Sequence, residues 1–573
     1  MIFRLPSARL ATAASALWCL TLPAAADPDP GAYLAARHAM VNGDYGTAAA
    51  HYRHTLLADP TNTELMEKAL TAYLGTGEIE AAAELARAFH GAGEDSQLAN
   101  IALMAQAAGA ADWAAIFDML EAGHQVGPLM DGLAQAWAHV GMGKPDRAMM
   151  SFDEVIDTPG LRPFGQHHKA LALTLLGDFA AADAIYSLPA AEGVPPSRAT
   201  LVSHARVLAE LGAFERAQSL LTRAFGEASD PEITAVQAAL AAQEIPALPR
   251  SVTSPAQGIA YGFVGLADVL QGEADESYLL LYAQAARHIA PQDADAQIAT
   301  AQLLTALEQY DAAARTFAKV ATDDPAFHSA ELGRAEALRL AGRVDQAIEV
   351  LTQLTRSHPQ VPLSHVSLGD AFREQGRFED AAEAYTRAIA GYGDDSPILW
   401  WLHYTRGIAY ERIGDWPRAE ADFRAALARK PDSPSVLNYL GYSLVDRGLS
   451  EHYDEALAMI EAAAAARPDN GAIVDSLAWV YFTLGRYQEA VEPMERAAEL
   501  EPNDPILSDH LGDVYWMVGR TVEARFQWRR ALSFDPEEAE AERIRRKLEI
   551  GLDAVYAAEG VTPAPAVEVA NDI

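Results

Sequence analysis

Two pairs of histidines offer the first chemistry to weigh. His51 and His54 stand three residues apart in a stretch that reads as helix, so they share a face. His167 and His168 are adjacent, and side chains in that relation diverge too far to hold one ion from a helix. A closed or catalytic metal site takes three or four ligands, and no further donor stands at a sensible spacing from His51 and His54. All four histidines are therefore read as surface or packing residues. The acidic pairs Asp394-Asp395 and Glu537-Glu538 read as a solvated turn and a helix start, since exposed carboxylates have no reason to separate their pKa values for acid–base work. Gly141-Met142-Gly143-Lys144-Pro145 has neither the spacing nor the hydroxyl of a phosphate loop, and no H-E-x-x-H or G-x-S-x-G run occurs. Cys19 is the single cysteine, which excludes a disulfide within the chain and cysteine-based zinc or iron–sulfur sites. The expectation is a non-enzyme with no catalytic residue, no cofactor and no metal.

Whatever groups the chain presents must be positioned by more than one core. Its 573 residues exceed the roughly 250–300 at which a single core stops growing, so it is several domains or a repeat array. Half the residues are hydrophobic and 21% charged, enough apolar material for a packed interior. Forty-three basic residues against 80 acidic ones leave a formal charge of −37. Nucleic acid and anionic lipid need the opposite balance and are not expected partners. Met1 to Ala26 reads as a secretory signal, with Arg4 and Arg9, an apolar run from Leu10 to Leu22, and Ala24-Ala25-Ala26 before Asp27. Cleavage near Ala26 would leave a periplasmic or secreted protein of charge −39. Trp18 occupies the place where a lipid-attachment signal wants a small residue, so membrane association is expected only through lipidation at Cys19, which the signal does not favour.

A fixed grid runs through the rest. In 508–536 the small residues Gly512, Ala524 and Ala531 alternate with the bulky Leu511, Tyr515 and Trp528, and Pro536 closes the unit. The same offsets land on Ala478, Ala490, Ala497, Leu477, Tyr481, Met494 and Pro502, and on Gly407, Ala419, Ala426, Tyr410, Phe423 and Pro431. Small residues let paired helices approach, bulky ones fill the groove between them, and proline ends the second helix. This pattern resembles the tetratricopeptide repeat, a helix–turn–helix unit of about 34 residues. The small anchor recurs at Gly369, Ala335, Ala301, Ala267, Ala205, Ala170, Ala136, Ala69 and Ala36. Ala48, Tyr52 and Pro60 fit the first unit, Ala313, Phe317 and Pro325 a middle one, and a poorly matched pair lies between Ser96 and Gly123. The resemblance implies an all-α fold, a right-handed α-solenoid of stacked helix–turn–helix pairs.

The grid breaks in informative places. Ala205 and Ala267 are 62 residues apart, and between them lie Pro246, Pro249 and Pro255, which cannot be helix interior. This stretch is either a boundary between two solenoid segments or a long inter-repeat loop. The expected organisation is a signal peptide at 1–26, a degenerate array at 27–243, a Pro-rich linker or loop at 244–257 and a second array at 258–536. A capping helix at 537–558 and a disordered tail at 559–573 would follow.

In such repeats the first helix of each pair lines the groove, and positions three before, one after and four after the anchor form its inward stripe. Here they are Asn438, Tyr442 and Val445, then Asp475, Trp479 and Phe482, then Asp509, Asp513 and Trp516. Modules that clamp a peptide carboxylate use Lys, Arg and Asn there, and this groove lacks the basic set. An aromatic strip flanked by carboxylates suits an apolar or basic protein segment, with Trp479 and Trp516 as anchors. NYLGYSLVDRG, VDSLAWVYFTLGRY and DHLGDVYWMVGR further resemble exported bacterial envelope repeat proteins. One protein of that kind is a lipid-anchored adaptor binding a periplasmic carboxyl-terminal processing protease and delivering cell-wall hydrolases to it. The resemblance implies a non-catalytic scaffold with protein partners of that sort. A component of outer-membrane or polysaccharide export assemblies stands as the alternative, and an enzyme acting on an envelope polymer as a more remote one.

Overall fold

The structure, a computed structural model, describes residues 30–189, 191–226 and 230–567. The segment expected to be a signal, 1–26, and Cys19 within it lie outside them. Among the described residues the chain is α-helical, with two short 3-10 turns and one isolated bridge between Gln271 and Ala274. None of these helices is long and apolar enough to cross a membrane. The helices form two compact units, the first ending at Val350 and the second beginning at Leu351.

The second unit is an α-solenoid of stacked pairs. Pro362–Glu374 pairs with Phe378–Gly391, Leu399–Arg412 with Trp416–Arg429, and Pro434–Asp446 with Tyr453–Ala466. Gly471–Thr483 then pairs with Tyr487–Leu500, and Pro505–Met517 with Thr521–Leu532. The anchor grid acts through one contact, in which the bulky residue sixteen places on seats against the small anchor of its own repeat. A Cβ added to Gly369 would lie 2.6 Å from Tyr385, one on Gly407 2.7 Å from Phe423, and one on Gly512 2.4 Å from Trp528. Ala478 and Met494 meet the same demand and are fully buried. Between the helices of a pair the chain turns through a left-handed residue seven places after the anchor, such as Gly414 (φ 80°) and Gly519 (φ 82°).

The first unit begins as the same kind of stack and then departs from it. The Pro-rich stretch 244–257 lies inside this unit instead of ending it. It reverses the chain, so that Pro255–Val269 packs on Pro128–Gly141, and Glu276–Ile289 packs on Gln97–Gly109 and Thr63–Thr76. Gly258 seats against the Trp137 ring, and Gln284 Nε2 donates to the Gly75 carbonyl at 2.9 Å. The inward stripes of the early repeats are buried as a result: Met66, Leu70 and Tyr73 around Ala69, and Leu133, Trp137 and Val140 around Ala136.

The C-terminal stretch expected as one capping helix is two, Glu538–Ile550 and Leu552–Glu559, broken at Gly551 with φ 86°. Part of the segment expected to be disordered is held by backbone pairing. Val567 N–H donates to the Gly485 carbonyl at 3.0 Å, and the Tyr487 hydroxyl donates to the Ala564 carbonyl at 2.6 Å. Lack of periodicity does not distinguish an unstructured tail from an extended one bonded through its main chain. Residues 568–573 lie outside the described part.

Candidate protein-binding groove

The stripe on the first helices of the last repeats divides into two parts with different electrostatics. At its C-terminal end the three residues nominated from the sequence are engaged by the chain's own last helices. Lys547, with no exposed side-chain surface, donates to Asp509 Oδ2 at 2.6 Å and to Asp513 Oδ2 at 2.7 Å. Asp513 is itself fully buried and accepts from Trp528 Nε1 at 2.9 Å. Burial raises the Asp513 carboxyl to about 6, with Lys547 pulling it down and Asp509 pushing it up. Trp516 donates to Asp553 Oδ2 at 3.0 Å, and the Gly551 backbone lies so near its ring that a Cβ there would approach within 2.7 Å. This end of the stripe is an internal ion-paired core, in which Asp509 Oδ1 alone is buried without a hydrogen-bond partner among the oxygens of these two acids.

The N-terminal part remains half-open. Asn438 and Tyr442 are half-buried, as is Trp479, while Val445, Asp475 and Phe482 are buried. Trp479 lies between Phe482, at 4.9 Å and 11°, and His510, at 3.9 Å and 21°. His510 Nδ1 meets Asp475 Oδ1 at 2.9 Å. Burial works to lower the His510 pKa, but the Asp475 carboxylate, with Asp509 and Asp513 behind it, outweighs burial and holds it up. The acids thus favour the protonated form of a ring that stacks on Trp479 and bonds to Asp475. Asn438 Oδ1 is buried and meets no hydrogen-bond donor from the protein, which costs about 1–3 kcal/mol when no partner supplies one. Burial raises the Tyr442 hydroxyl to about 12, so it stays a neutral donor.

His510 and Lys547 escaped the sequence reading, since both act across the stack from positions 35 and 38 residues beyond the acids they meet. The histidines weighed for metal binding are otherwise placed. His51 is half-buried and His54 exposed, and neither belongs to a cluster with ligand geometry among the described residues. His167 and His168 are packing residues. His167 bridges the Tyr186 and Tyr261 hydroxyls at 3.1 and 3.0 Å, and His168 Nδ1 accepts from Trp137 Nε1 at 3.0 Å. Burial brings their pKa values down to about 4 and about 3, so both are neutral.

Residues 298–362, 332–397, 404–451 and 449–505 match the tetratricopeptide repeat family, and this part of the chain is a tetratricopeptide repeat array. A TPR repeat-containing protein of Pseudomonas aeruginosa is 36% identical over 103 residues, 18% of this chain and 16% of that protein. A lipoprotein NlpI homolog of Haemophilus influenzae is 46% identical over 56 residues, 10% of this chain and 17% of that protein. The chain thus spans about a sixth of the length of each relative. Among solved structures, the APC/C hetero-tetramer Cut9–Hcn1 aligns over 91% of this chain and 96% of that one, at 15% identity and a TM-score of 0.37. Pseudomonas aeruginosa PilF aligns over 35% and 88%, at 19% identity and a TM-score of 0.29. Repeats of this family are in general non-catalytic scaffolds that bind proteins.

Proposed function

We propose that this repeat protein is an exported, non-catalytic scaffold or adaptor of the bacterial cell envelope, which holds a segment of another protein along Asn438, Tyr442 and Trp479. The observation that carries the reading is the difference between the two units. The stripes around Ala69 and Ala136 in the first unit are covered by residues 255–289 of the same chain, whereas the second unit leaves two half-buried rings and an amide oxygen that no protein group satisfies. An extended segment offers what that site wants, a backbone N–H for Asn438 Oδ1 and an apolar side chain for the rings. Asp475, Asp509 and Asp513 are already met by His510 and Lys547, which lessens the pull on a basic ligand. An apolar segment is therefore the better fit.

The signal at 1–26 and the short match to an envelope lipoprotein homolog support an envelope setting. Within it, the resemblance of the C-terminal repeats favours a carboxyl-terminal processing protease and its cell-wall hydrolase substrates as partners. Affinity purification from periplasmic extract, with mass spectrometry, tests this with the Asn438→Ala and Trp479→Ala variants alongside the parent. A protease with hydrolases, lost in both variants, is the expected result. Export-assembly subunits would support the alternative role, and no stoichiometric partner would sink the scaffold reading.

A further inference from the structure

We propose that His90, Asp95 and His124, in the first unit, bind one divalent transition-metal ion, with zinc the best match to the donor set. The site is a product of the repeat. The helices Ile79–Gly91 and Trp113–Glu121 begin 34 residues apart, and so do the two histidines. His124 is thus the image of His90 one repeat on. The second helix stops three residues short of it, and the chain turns through Gly123 at φ 86°. That early stop frees the His124 ring to lie on the His90 ring, with centroids 3.7 Å apart and planes 10° from parallel.

Asp95, between Gly91 and the Gln97–Gly109 helix, faces both rings. Its Oδ1 is 2.9 Å from His124 Nδ1 and 3.3 Å from His90 Nε2, and the three candidate ligand atoms lie within 4.8 Å of one another. A tetrahedral zinc with bonds of about 2.1 Å has donor–donor edges of about 3.4 Å, so the donors need close only a little, while the two rings, parallel here, must swing well apart for both in-plane lone pairs to meet on one ion. His90 Nε2 is buried with no hydrogen-bond partner and faces Asp95 Oδ1.

An outer shell is present as well. Asn100 Nδ2 donates to Asp95 Oδ1 at 3.2 Å and to the Gln125 carbonyl at 2.9 Å, tying the carboxylate to the loop that carries His124. Two imidazoles and one carboxylate suit zinc, and also copper or nickel, but not the all-oxygen preference of calcium and magnesium. With Asp95 53% and His124 27% exposed, water can reach a fourth position and the ion has a way in. Bound there, it would clip the turns of two successive repeats together and stabilise the first unit by mass action.

The test uses the full chain without a polyhistidine tag, titrated with Co²⁺ by visible absorption and with Zn²⁺ by calorimetry. One ion per chain is expected, with a low-coordinate cobalt spectrum and a higher melting temperature at saturation. His124→Ala and Asp95→Asn, both at partly exposed loop positions, lose about 100-fold or more in affinity, and Asn100→Ala about 10- to 100-fold. His51→Ala and His54→Ala change nothing. The proposal is overturned if the parent chain binds no ion stoichiometrically, or if either loop variant, folded by circular dichroism, binds within threefold of the parent.

Discussion

Replacing Lys547 by methionine tests whether the C-terminal helices are held by charge. Methionine keeps the unbranched stem and most of the volume, so packing changes little. The ammonium has no exposed surface and makes two short bonds, to Asp509 and Asp513, the second also fully buried. Removing one partner of a buried ion pair costs about 3–5 kcal/mol, because the remaining charge keeps its desolvation penalty without compensation. At about 1.4 kcal/mol per tenfold, amides of Glu538–Ile550 that exchange by local opening should exchange two to three and a half decades faster in the variant. The pH dependence has a fixed sign. Asp513 sits near 6 in the fold against 3.8 as its ordinary value, so the folded state holds the extra proton between those values. Without Lys547 the folded value rises further. The variant therefore recovers protection as pH is lowered from 8 toward 5, and is weakest where Asp513 must be ionised. Adding Asp513→Asn to Lys547→Met should restore much of the protection at pH 8, since an amide needs no counter-ion and its oxygen still accepts from Trp528. Hydrogen exchange read by mass spectrometry decides the matter. Unchanged protection at pH 8 in the single variant, or a deficit indifferent to both pH and Asp513→Asn, would refute the reasoning.

Gly512→Ala places a methyl 2.4 Å from the Trp528 ring, whose indole N–H is fixed on Asp513, so the ring has little room to yield. A loss of about 1–3 kcal/mol in denaturant unfolding of the second unit is expected, and an unchanged midpoint would count against the anchor contact. For Asp475→Asn, the His510 pKa in the fold is raised above its ordinary 6.5, so its stabilising contribution is fully present below that value and fades as pH climbs through the folded one. The variant should lose more stability at pH 6 than at pH 8.5. Equal losses at both pH values, measured by thermal unfolding, would show that the ring is not cationic on Trp479.

Much of the second unit was legible in the order of residues alone, because its contacts are local. Gly407 meets Phe423 and Gly512 meets Trp528 at the same sixteen-residue offset, so a pattern within one repeat already describes how its two helices touch. The glycine seven places after the anchor is equally regular and could have been added to the grid. The histidine pair at 90 and 124 also carried a signal, identity at one repeat length, obscured by the weak match of that repeat. Lys547 also stands one repeat length, 34 residues, beyond Asp513, but in a helix outside the anchor grid, so that spacing did not by itself say that the two side chains meet. No spacing rule matches Tyr261 to His167, which it reaches from 94 residues away.

Sequence alone determined that this chain is a helical repeat array, that its inward stripe is aromatic and acidic, and that no familiar catalytic spacing runs through it. Periodicity can do that much because each repeat leans first on its neighbours. Only the tertiary structure decided which part of the stripe is open. The prolines of 244–257 showed where helices stop, but the reversal they permit depends on the fit between surfaces far apart in the chain, such as Gln284 on Gly75, 209 residues away. Likewise the acidic end of the groove looked like a basic partner's site until Lys547 was found buried in it. Its four methylene carbons are shielded and its charge is spent on Asp509 and Asp513, a pairing that depends on how the last helices pack and not on residue type or spacing alone.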